Sequence, residues 1–221
     1  MKHIKPIIAI SGYSGSGKSI LSKLLKQRGY QVVSVSRTFK KFLSGCTKDF
    51  YSLPEKDRLA RGMEFIRKDP LIPGKLLYER TVNLHKKDPK STIVIDGIRC
   101  MRDLHFFNKE KFQILFIYSS FPVRLHRIKN KRKENITKHF LKKRDLIDIS
   151  VGLGRVIKNS DILIVNDNNL SKEDLNNLFL SLEKKNFSSF EHGNIFKTKN
   201  IPMYILKEIK RYETEVKRIG K

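Results

Sequence analysis

Short apolar runs alternate along this chain with longer stretches in which apolar residues recur every three or four positions. The short runs are rich in β-branched residues, as buried parallel strands require. We predict that they form five strands, at 4–10, 31–35, 92–96, 113–118 and 162–165. The spacing between them predicts helices at 18–28, 55–68, 73–86, 121–133, 136–148 and 170–184. This alternation predicts an α/β fold of three layers, with helices on both faces of a doubly wound, five-stranded parallel sheet.

The end of the chain has a different pattern. We predict one domain over 1–185 and a C-terminal extension over 186–221, which begins with a polar break at 186–192. Pro202 and Gly220 bound a predicted helix at about 202–219. Its apolar residues form a narrow seam: Ile205, Ile209, Tyr212, Val216 and Ile219. Such a seam either packs back on the domain or mates with a partner helix or a second copy, and both interpretations stay open.

Composition bounds the class of protein. The 221 residues, 39% of them hydrophobic and fourteen of them Phe, are enough for one domain with a substantial core. The two cysteines, Cys46 and Cys100, match neither a metal-ligand spacing nor a disulfide framework, which favours a reducing compartment. No apolar stretch approaches membrane-spanning length, and no cleaved signal fits ahead of the first strand. We therefore expect a soluble, cytoplasmic protein without a membrane partner.

The charge is strongly basic, with 47 Lys and Arg against 22 Asp and Glu and a formal net charge of +25. One interpretation is accessory contact between the basic surface and nucleic acid or a ribonucleoprotein. The other is a solvated lysine-rich surface around a site built for phosphates. Part of the excess is local, because residues 124–144 hold ten basic residues and one acidic residue.

One motif carries a definite chemistry. The first predicted strand is followed by a complete G-x-x-x-x-G-K-[ST] phosphate loop and then by helical spacing. In such a loop, glycines let backbone N–H groups surround a polyphosphate, and the helix that follows adds its dipole. Lys18 would pair with the β- and γ-phosphates, and the Ser19 hydroxyl would bind Mg²⁺. The candidate nucleotide-binding residues are Gly12, Tyr13, Ser14, Gly15, Ser16, Gly17, Lys18 and Ser19.

A second group follows the third predicted strand, which ends in Asp96-Gly97-Ile98-Arg99. Ligands of open α/β sheets collect at the carboxyl ends of the strands, so we expect Asp96 beside the phosphate loop. A carboxylate there would bind Mg²⁺ or its water, or orient an acceptor hydroxyl. Arg99 would bind an acceptor phosphate. An Asp-Gly pair after a strand is also often only a turn.

Basic residues supply the remaining candidates. Arginines that close over a transferring phosphoryl group stabilise its charge, and the cluster beyond the fourth strand predicts a mobile lid at about 128–144. Further acceptor-binding candidates lie after the second strand and in the long segment that follows it: Arg37, Lys40 and Arg80. The alternative for each of these residues is a solvated helix face.

Together these motifs resemble the P-loop small-molecule kinases of adenylate-kinase type, and within them an archaeal branch described as adenylate-kinase-like or dephospho-CoA-kinase-like. The resemblance covers about 4–184. It implies ATP at the phosphate loop, Mg²⁺ at Ser19 and Asp96, and γ-phosphoryl transfer to a nucleoside monophosphate or a dephospho-CoA-like acceptor. The implied catalytic residues are Lys18, Asp96, Arg127, Arg132 and Arg144. Ser36-Arg37 stands where many relatives have Gly-Asp, so the resemblance does not specify AMP.

A second hypothesis belongs to another class of protein. The net charge of +25 and the C-terminal helix favour a nucleotide-dependent factor that associates with RNA or the ribosome. In that case ATP acts as a switch, and no phosphorylated small molecule is formed. The sequence does not specify the oligomeric state.

Overall fold

The computed structural model describes residues 7–107, 112–132, 137–168, 170–171, 173–174, 177–178, 180, 195–197 and 201–219. Its strands are β1 (Ile7–Gly12), β2 (Gln31–Ser34), β3 (Ile93–Ile98), β4 (Phe112–Tyr118), β5 (Ile162–Val165) and β6 (Ile195–Lys197). Its helices are α1 (Lys18–Gln27), α2 (Val35–Cys46), α3 (Glu55–Lys68), α4 (Ile72–Lys87), α5 (Phe121–Arg132), α6 (Lys138–Val151), α7 (Leu153–Lys158) and α8 (Met203–Ile219). A short 3₁₀ helix covers Met101–Leu104.

The strands form one sheet in the order β2-β3-β1-β4-β5-β6. β2 and β3 are parallel, with Ser34 opposite Asp96, and β4 and β5 are parallel, with Tyr118 opposite Val165. The predicted α/β fold with a five-stranded parallel sheet is confirmed. The sequence did not predict β6, a three-residue strand that pairs antiparallel with β5.

Two compact units can be distinguished by the contacts within the chain. The first consists of Met1–Ala9 and Leu21–Gln113, and the second of Ile10–Ile20 and Ile114–Lys221. The core of the first unit includes Val33, Leu43, Leu77 and Ile95, all buried. The core of the second includes Leu115, Phe116, Leu153, Ile164 and Ile205, also buried. The predicted division of the chain at residue 185 stays a prediction.

Helix α2 begins where the sequence suggested the last residue of a strand. Ser34 is extended and caps the helix, since its Oγ accepts a hydrogen bond of 3.4 Å from the Arg37 backbone N–H. Val35 and Leu43 are buried on one side of α2, and the ring of Phe42 meets that of Phe65 at 5.6 Å. A serine cap followed by apolar residues at helical spacing therefore starts a helix directly after a four-residue strand.

Helix α8 packs within the second unit, where it contacts α6. Ile205, Ile209 and Tyr212 of its apolar seam are buried. This is the packing that the first interpretation of the seam predicts. The polar break at 186–192, residues 4–6 of the first predicted strand and much of the predicted helix at 170–184 lie outside the described residues. Along the chain that the structure describes, no helix is both long and apolar enough to cross a membrane.

Candidate nucleotide-binding site

The phosphate loop joins β1 to α1 and has a backbone that only glycine adopts readily. Gly12, Gly15 and Gly17 have φ of +145°, +81° and +108°. A Cβ on Gly12 would lie 2.3 Å from the Ile117 carbonyl oxygen, and one on Gly17 would lie 2.3 Å from Asn166 Nδ2. The first turn of α1 carries no acidic side chain to oppose the positive end of the helix dipole. The loop therefore suits a polyphosphate, which the backbone must approach without side chains between them.

Lys18 lies over its own loop. Its Nζ donates hydrogen bonds of 2.7 Å to the carbonyl oxygens of Gly12 and Tyr13. The ammonium group is thus held at the loop that the sequence predicted it to serve. Ser19, the next residue of α1, is exposed to solvent, so its hydroxyl is accessible to a metal ion.

The ends of β4 and β5 hold the other side of the loop. The amide Nδ2 of Asn166 donates 2.8 Å to the Ser16 carbonyl oxygen, and Ser119 Oγ donates 2.6 Å to the Asn166 carbonyl oxygen. Arg127 reaches this corner and donates 3.0 Å from Nη1 to Ser119 Oγ. Sequence analysis missed Ser119 and Asn166. The only available signal was their position just after two predicted parallel strands.

A buried ion pair lies beneath the loop. Arg124 and Asp145 are both 0% exposed, and Arg124 Nη1 and Nη2 donate 2.9 and 2.7 Å to the two carboxylate oxygens. Burial lowers the pKa of Arg124, but the hydrogen bonds to Asp145 and its charge outweigh burial, so the pKa lies above its usual value. Arg124 therefore stays charged. The sequence analysis had counted Arg124 among the ten basic residues of 124–144, but its own contacts place it in the core.

The other two predicted lid arginines are Arg144 and Arg132. Arg144 is half-buried on α6, one residue before Asp145. Burial raises the pKa of Asp145, and the charge of Arg144 is among the effects that lower it. Arg132 is the last residue of α5, and its side chain lies outside the described residues. The same is true of 133–136 in the predicted lid at about 128–144.

Asp96 and Arg99, the candidates after the third strand, belong to the first unit. Asp96 is half-buried on β3, and Gly97 beside it has a φ of +90°. The backbone of Arg99 donates 2.7 Å to the Asp103 carboxylate, which also accepts 3.1 Å from the Cys100 N–H. Asp103 is buried and holds this turn. Sequence analysis missed Asp103.

The acceptor candidates Arg37, Lys40 and Arg80 lie on two helices, α2 and α4. Arg37 lies in the first turn of α2. Arg80, on α4, lines a groove together with Thr38 and Lys41 of α2. Within the described residues, Lys41 contributes to this groove and Lys40 does not. Arg80 and Lys41 thus line the same groove, and the role of Lys40 stays a prediction.

Residues 8–146, more than half of the chain, match the AAA domain family AAA_18. The chain belongs to this family. The matched part of this AAA domain contains the phosphate loop, Asp96, Arg124 and Asp145, whereas Asn166 and α8 follow it.

This AAA domain protein is also similar to individual proteins. It is 27% identical over 169 residues to the "UPF0200 protein" of Sulfurisphaera tokodaii, covering 75% of this chain and 90% of that protein. The shikimate kinase of Bacteroides thetaiotaomicron matches with a TM-score of 0.51, 12% identity and coverage of 81% of this chain and 97% of that one. The dephospho-CoA kinase of Campylobacter jejuni matches with a TM-score of 0.50, 13% identity and coverage of 83% and 100%. At these identities the likeness shows a P-loop kinase-like fold, and the adenylate-kinase type stays a prediction.

Proposed function

We propose that this protein is a phosphotransferase that moves the γ-phosphoryl group of ATP to a small, phosphate-bearing acceptor. The observation that carries the proposal is the loop at Gly12–Ser19, where positive φ angles and close neighbours exclude side chains and Lys18 lies over the backbone. The kinase names of two fold neighbours support a small-molecule acceptor. The acceptor class proposed is a nucleoside monophosphate or a dephospho-CoA-like molecule.

On the donor side, the loop amides and Lys18 bind the phosphates. Lys18 exchanges the carbonyl oxygens of Gly12 and Tyr13, its present partners, for phosphate oxygens. Ser19 and Asp96 would hold Mg²⁺, which when bound neutralises phosphate charge. Hydroxyl and carboxylate oxygens are ligands that suit this ion.

Arginines stabilise charge on the moving group in this proposal. Arg127 has the strongest structural support, because it is half-buried and its guanidinium group donates a hydrogen bond to Ser119 Oγ. The same Oγ lies 3.3 Å from the Ser16 carbonyl oxygen of the loop. Arg132 and Arg144 are proposed for the same role as parts of a closing lid, which would also exclude water from the reaction.

Acceptor binding is proposed for Arg37, Lys40, Arg80 and Arg99. The role of Asp96 depends on the acceptor group. A hydroxyl acceptor needs a general base, and Asp96 is the proposed one. A phosphate acceptor is already ionised at neutral pH, so Asp96 then contributes only through Mg²⁺. The chemical nature of the product decides between the two roles.

The test is an acceptor screen with γ-labelled ATP over nucleoside monophosphates and dephospho-CoA. We expect label to leave ATP for one defined product. Lys18→Ala should lower the rate by about 10² or more, since it removes the charge aimed at the transferring group. The matched control is Lys26→Ala, which removes an exposed lysine from the last turn of the same helix and should leave the rate unchanged.

Two results would contradict the proposal: label that stays on ATP or goes only to water with every acceptor, or a Lys18→Ala variant as active as the parent protein.

A second candidate function is a nucleotide-dependent factor that binds RNA. The observation that favours it is the net charge of +25, together with basic residues on the exposed side of α8: Lys207, Lys210, Arg211, Lys217 and Arg218. It differs from the kinase in one measurable respect, because a switch needs no phosphorylated small-molecule product.

A further inference from the structure

Helix α8 contacts buried residues that pack against the phosphate loop. We propose that Tyr212 of α8 is a positioning residue for nucleotide binding, acting through Tyr13 and through the Arg124–Asp145 pair. This proposal deepens the proposed function and rests on it, since it requires that the loop bind a nucleotide. Tyr212 lies outside residues 8–146, the part of the chain that matches the AAA domain family.

The first step is the contact between Arg124 and the loop. Arg124 Nη1 donates 3.3 Å to the Ser14 carbonyl oxygen, and the guanidinium carbon lies 4.7 Å from the centroid of the Tyr13 ring. Nε of Arg124 donates 2.9 Å to the Ser119 carbonyl oxygen at the end of β4. One guanidinium group therefore fixes the loop at two consecutive residues and ties it to the sheet.

The second step is the fixation of Arg124. A buried guanidinium needs a carboxylate partner, and Asp145 supplies both oxygens in the two-pronged geometry that leaves the fork little freedom. Arg124 lies in the first turns of α5 and Asp145 in the second half of α6. The position of the guanidinium group thus depends on where α6 holds its carboxylate.

Tyr212 completes the arrangement from α8. Its hydroxyl lies 3.4 Å from Asp145 Oδ2, oriented to donate, and its ring centroid is 6.2 Å from that of Tyr13. Tyr13 is 0% exposed, so its ring is surrounded by protein atoms and does not contact solvent. A shift of Tyr212 is therefore transmitted to the loop by two routes, one apolar through Tyr13 and one polar through Asp145 and Arg124.

Other contacts hold α8 in register with this site. The Tyr118 hydroxyl, at the end of β4, donates to Glu208, and Lys158 of α7 pairs with Glu213 at 2.9 Å. Both partners belong to the second unit, as does the loop. These contacts set the position of the helix, whereas Tyr212 contacts Tyr13 and Asp145 directly.

The test compares Tyr212→Leu, Tyr212→Phe and a control, Glu215→Gln. The first variant removes both routes, and the second keeps the ring contact. The control breaks the partly exposed 2.6 Å salt bridge between Glu215 of α8 and Lys142 of α6. Two quantities are measured in the full-length protein: MgATP affinity by calorimetry, and hydrogen exchange of the peptide spanning 11–19 without nucleotide.

We expect Tyr212→Leu to weaken MgATP binding about 3- to 30-fold, the range of couplings through packed networks, and to speed exchange in the loop. Tyr212→Phe should recover the part of both properties that the ring contact carries, with loop exchange still measurably faster than in Glu215→Gln, which should change neither property. A folded Tyr212→Leu variant with parental affinity and parental loop exchange would overturn the proposal. The proposal would also be overturned if Tyr212→Phe lost as much global stability as Tyr212→Leu. The effect would then be a general loss of stability rather than a change at the loop.

The readouts separate this proposal from the proposed function. If the parent protein does not bind MgATP, the proposed function fails, while loop exchange without nucleotide still reports whether Tyr212 orders the loop. If Tyr212→Leu does not fold, Tyr212→Phe alone decides. Loss of the hydroxyl should then measurably speed exchange at 11–19 compared with Glu215→Gln, and unchanged exchange would refute the polar route.

Discussion

At Gly17 the phosphate loop has no room for a side chain. A Cβ there would both occupy a backbone of φ +108° and lie 2.3 Å from Asn166 Nδ2, which anchors the Ser16 carbonyl oxygen. We expect Gly17→Ala to lower the free energy of unfolding by about 1–3 kcal/mol and to weaken MgATP binding at least tenfold, because the anchor must move. Chemical denaturation and calorimetry measure the two effects.

Gly29 offers a control that separates strain from collision. Its φ is +86°, but nothing lies within 4 Å of an added Cβ. Gly29→Ala should therefore lower stability through the backbone alone and leave nucleotide affinity unchanged. Equal losses of affinity in the two variants would mean that contact with Asn166 does not shape the loop.

The two cysteines should differ sharply in reactivity. Burial, helped by the charge of Asp103, raises the pKa of the Cys100 thiol to about 11, while Cys46 is exposed. At about pH 8 a thiol of pKa about 11 is ionised to about one part in a thousand, and burial also shields Cys100 from the reagent. Iodoacetamide should therefore modify Cys46 first.

Mass spectrometry of time points follows both sites. Because the thiolate is the reactive form, alkylation of Cys100 should accelerate steadily as the pH rises toward the raised pKa, and unfolding in urea should equalise the two sites. Rapid labelling of Cys100 in the folded protein at about pH 8 would contradict the buried turn around Asp103.

The candidate site divides into residues that sequence could predict and residues that it could not. The phosphate loop is contiguous, so the spacing of its glycines and Lys18 was visible directly. Arg124 was assigned to the basic cluster because its partner, Asp145, follows 21 positions later on another helix. Asn166 is 150 positions from the loop residue that it supports. A single sequence gives no physical sign of such pairs, since each depends on how the strands and helices pack.

At the level of elements, hydrophobic periodicity worked where an element was long or buried. It predicted β4 and β5 closely, because their apolar positions are set by burial, and it predicted α3 closely because that helix is 14 residues long. It missed α2, since a β-branched residue at Val35 continued the strand pattern while the Ser34 cap had already begun a helix. It also missed β6, whose three residues are too few to show alternation.

The buried ion pair also bears on the predicted lid. Arg124 near the start of α5 and Asp145 in α6 join the two helices inside the core. Removing one partner of a buried ion pair costs about 3–5 kcal/mol, because the other charge is left uncompensated, so this pair holds α5 and α6 together. The predicted lid at about 128–144 lies between these two residues in sequence and stays a prediction.

At the scale of the whole molecule, the net charge of +25 has two interpretations, a solvated surface and an RNA-binding surface. If it serves a solvated surface around a phosphate site, RNA binding is electrostatic only. We then expect a Kd of about 10⁻⁴–10⁻⁶ M for a mixed-sequence RNA at physiological salt, with an affinity that falls linearly with salt on logarithmic axes. Filter binding at a series of salt concentrations, with and without MgATP, measures this.

Helix α8 supplies the matched variant, because Lys207, Lys210 and Lys217 are exposed on the side away from Tyr212. Replacing all three with Gln should reduce the salt slope by up to about two if α8 contributes phosphate contacts, and should leave phosphoryl transfer unchanged. RNA affinity that is insensitive to salt and changes with MgATP would instead favour the nucleotide-dependent factor that binds RNA. A triple variant that loses transfer would show that the exposed side of α8 also serves the nucleotide site, a role that the positions of these lysines do not predict.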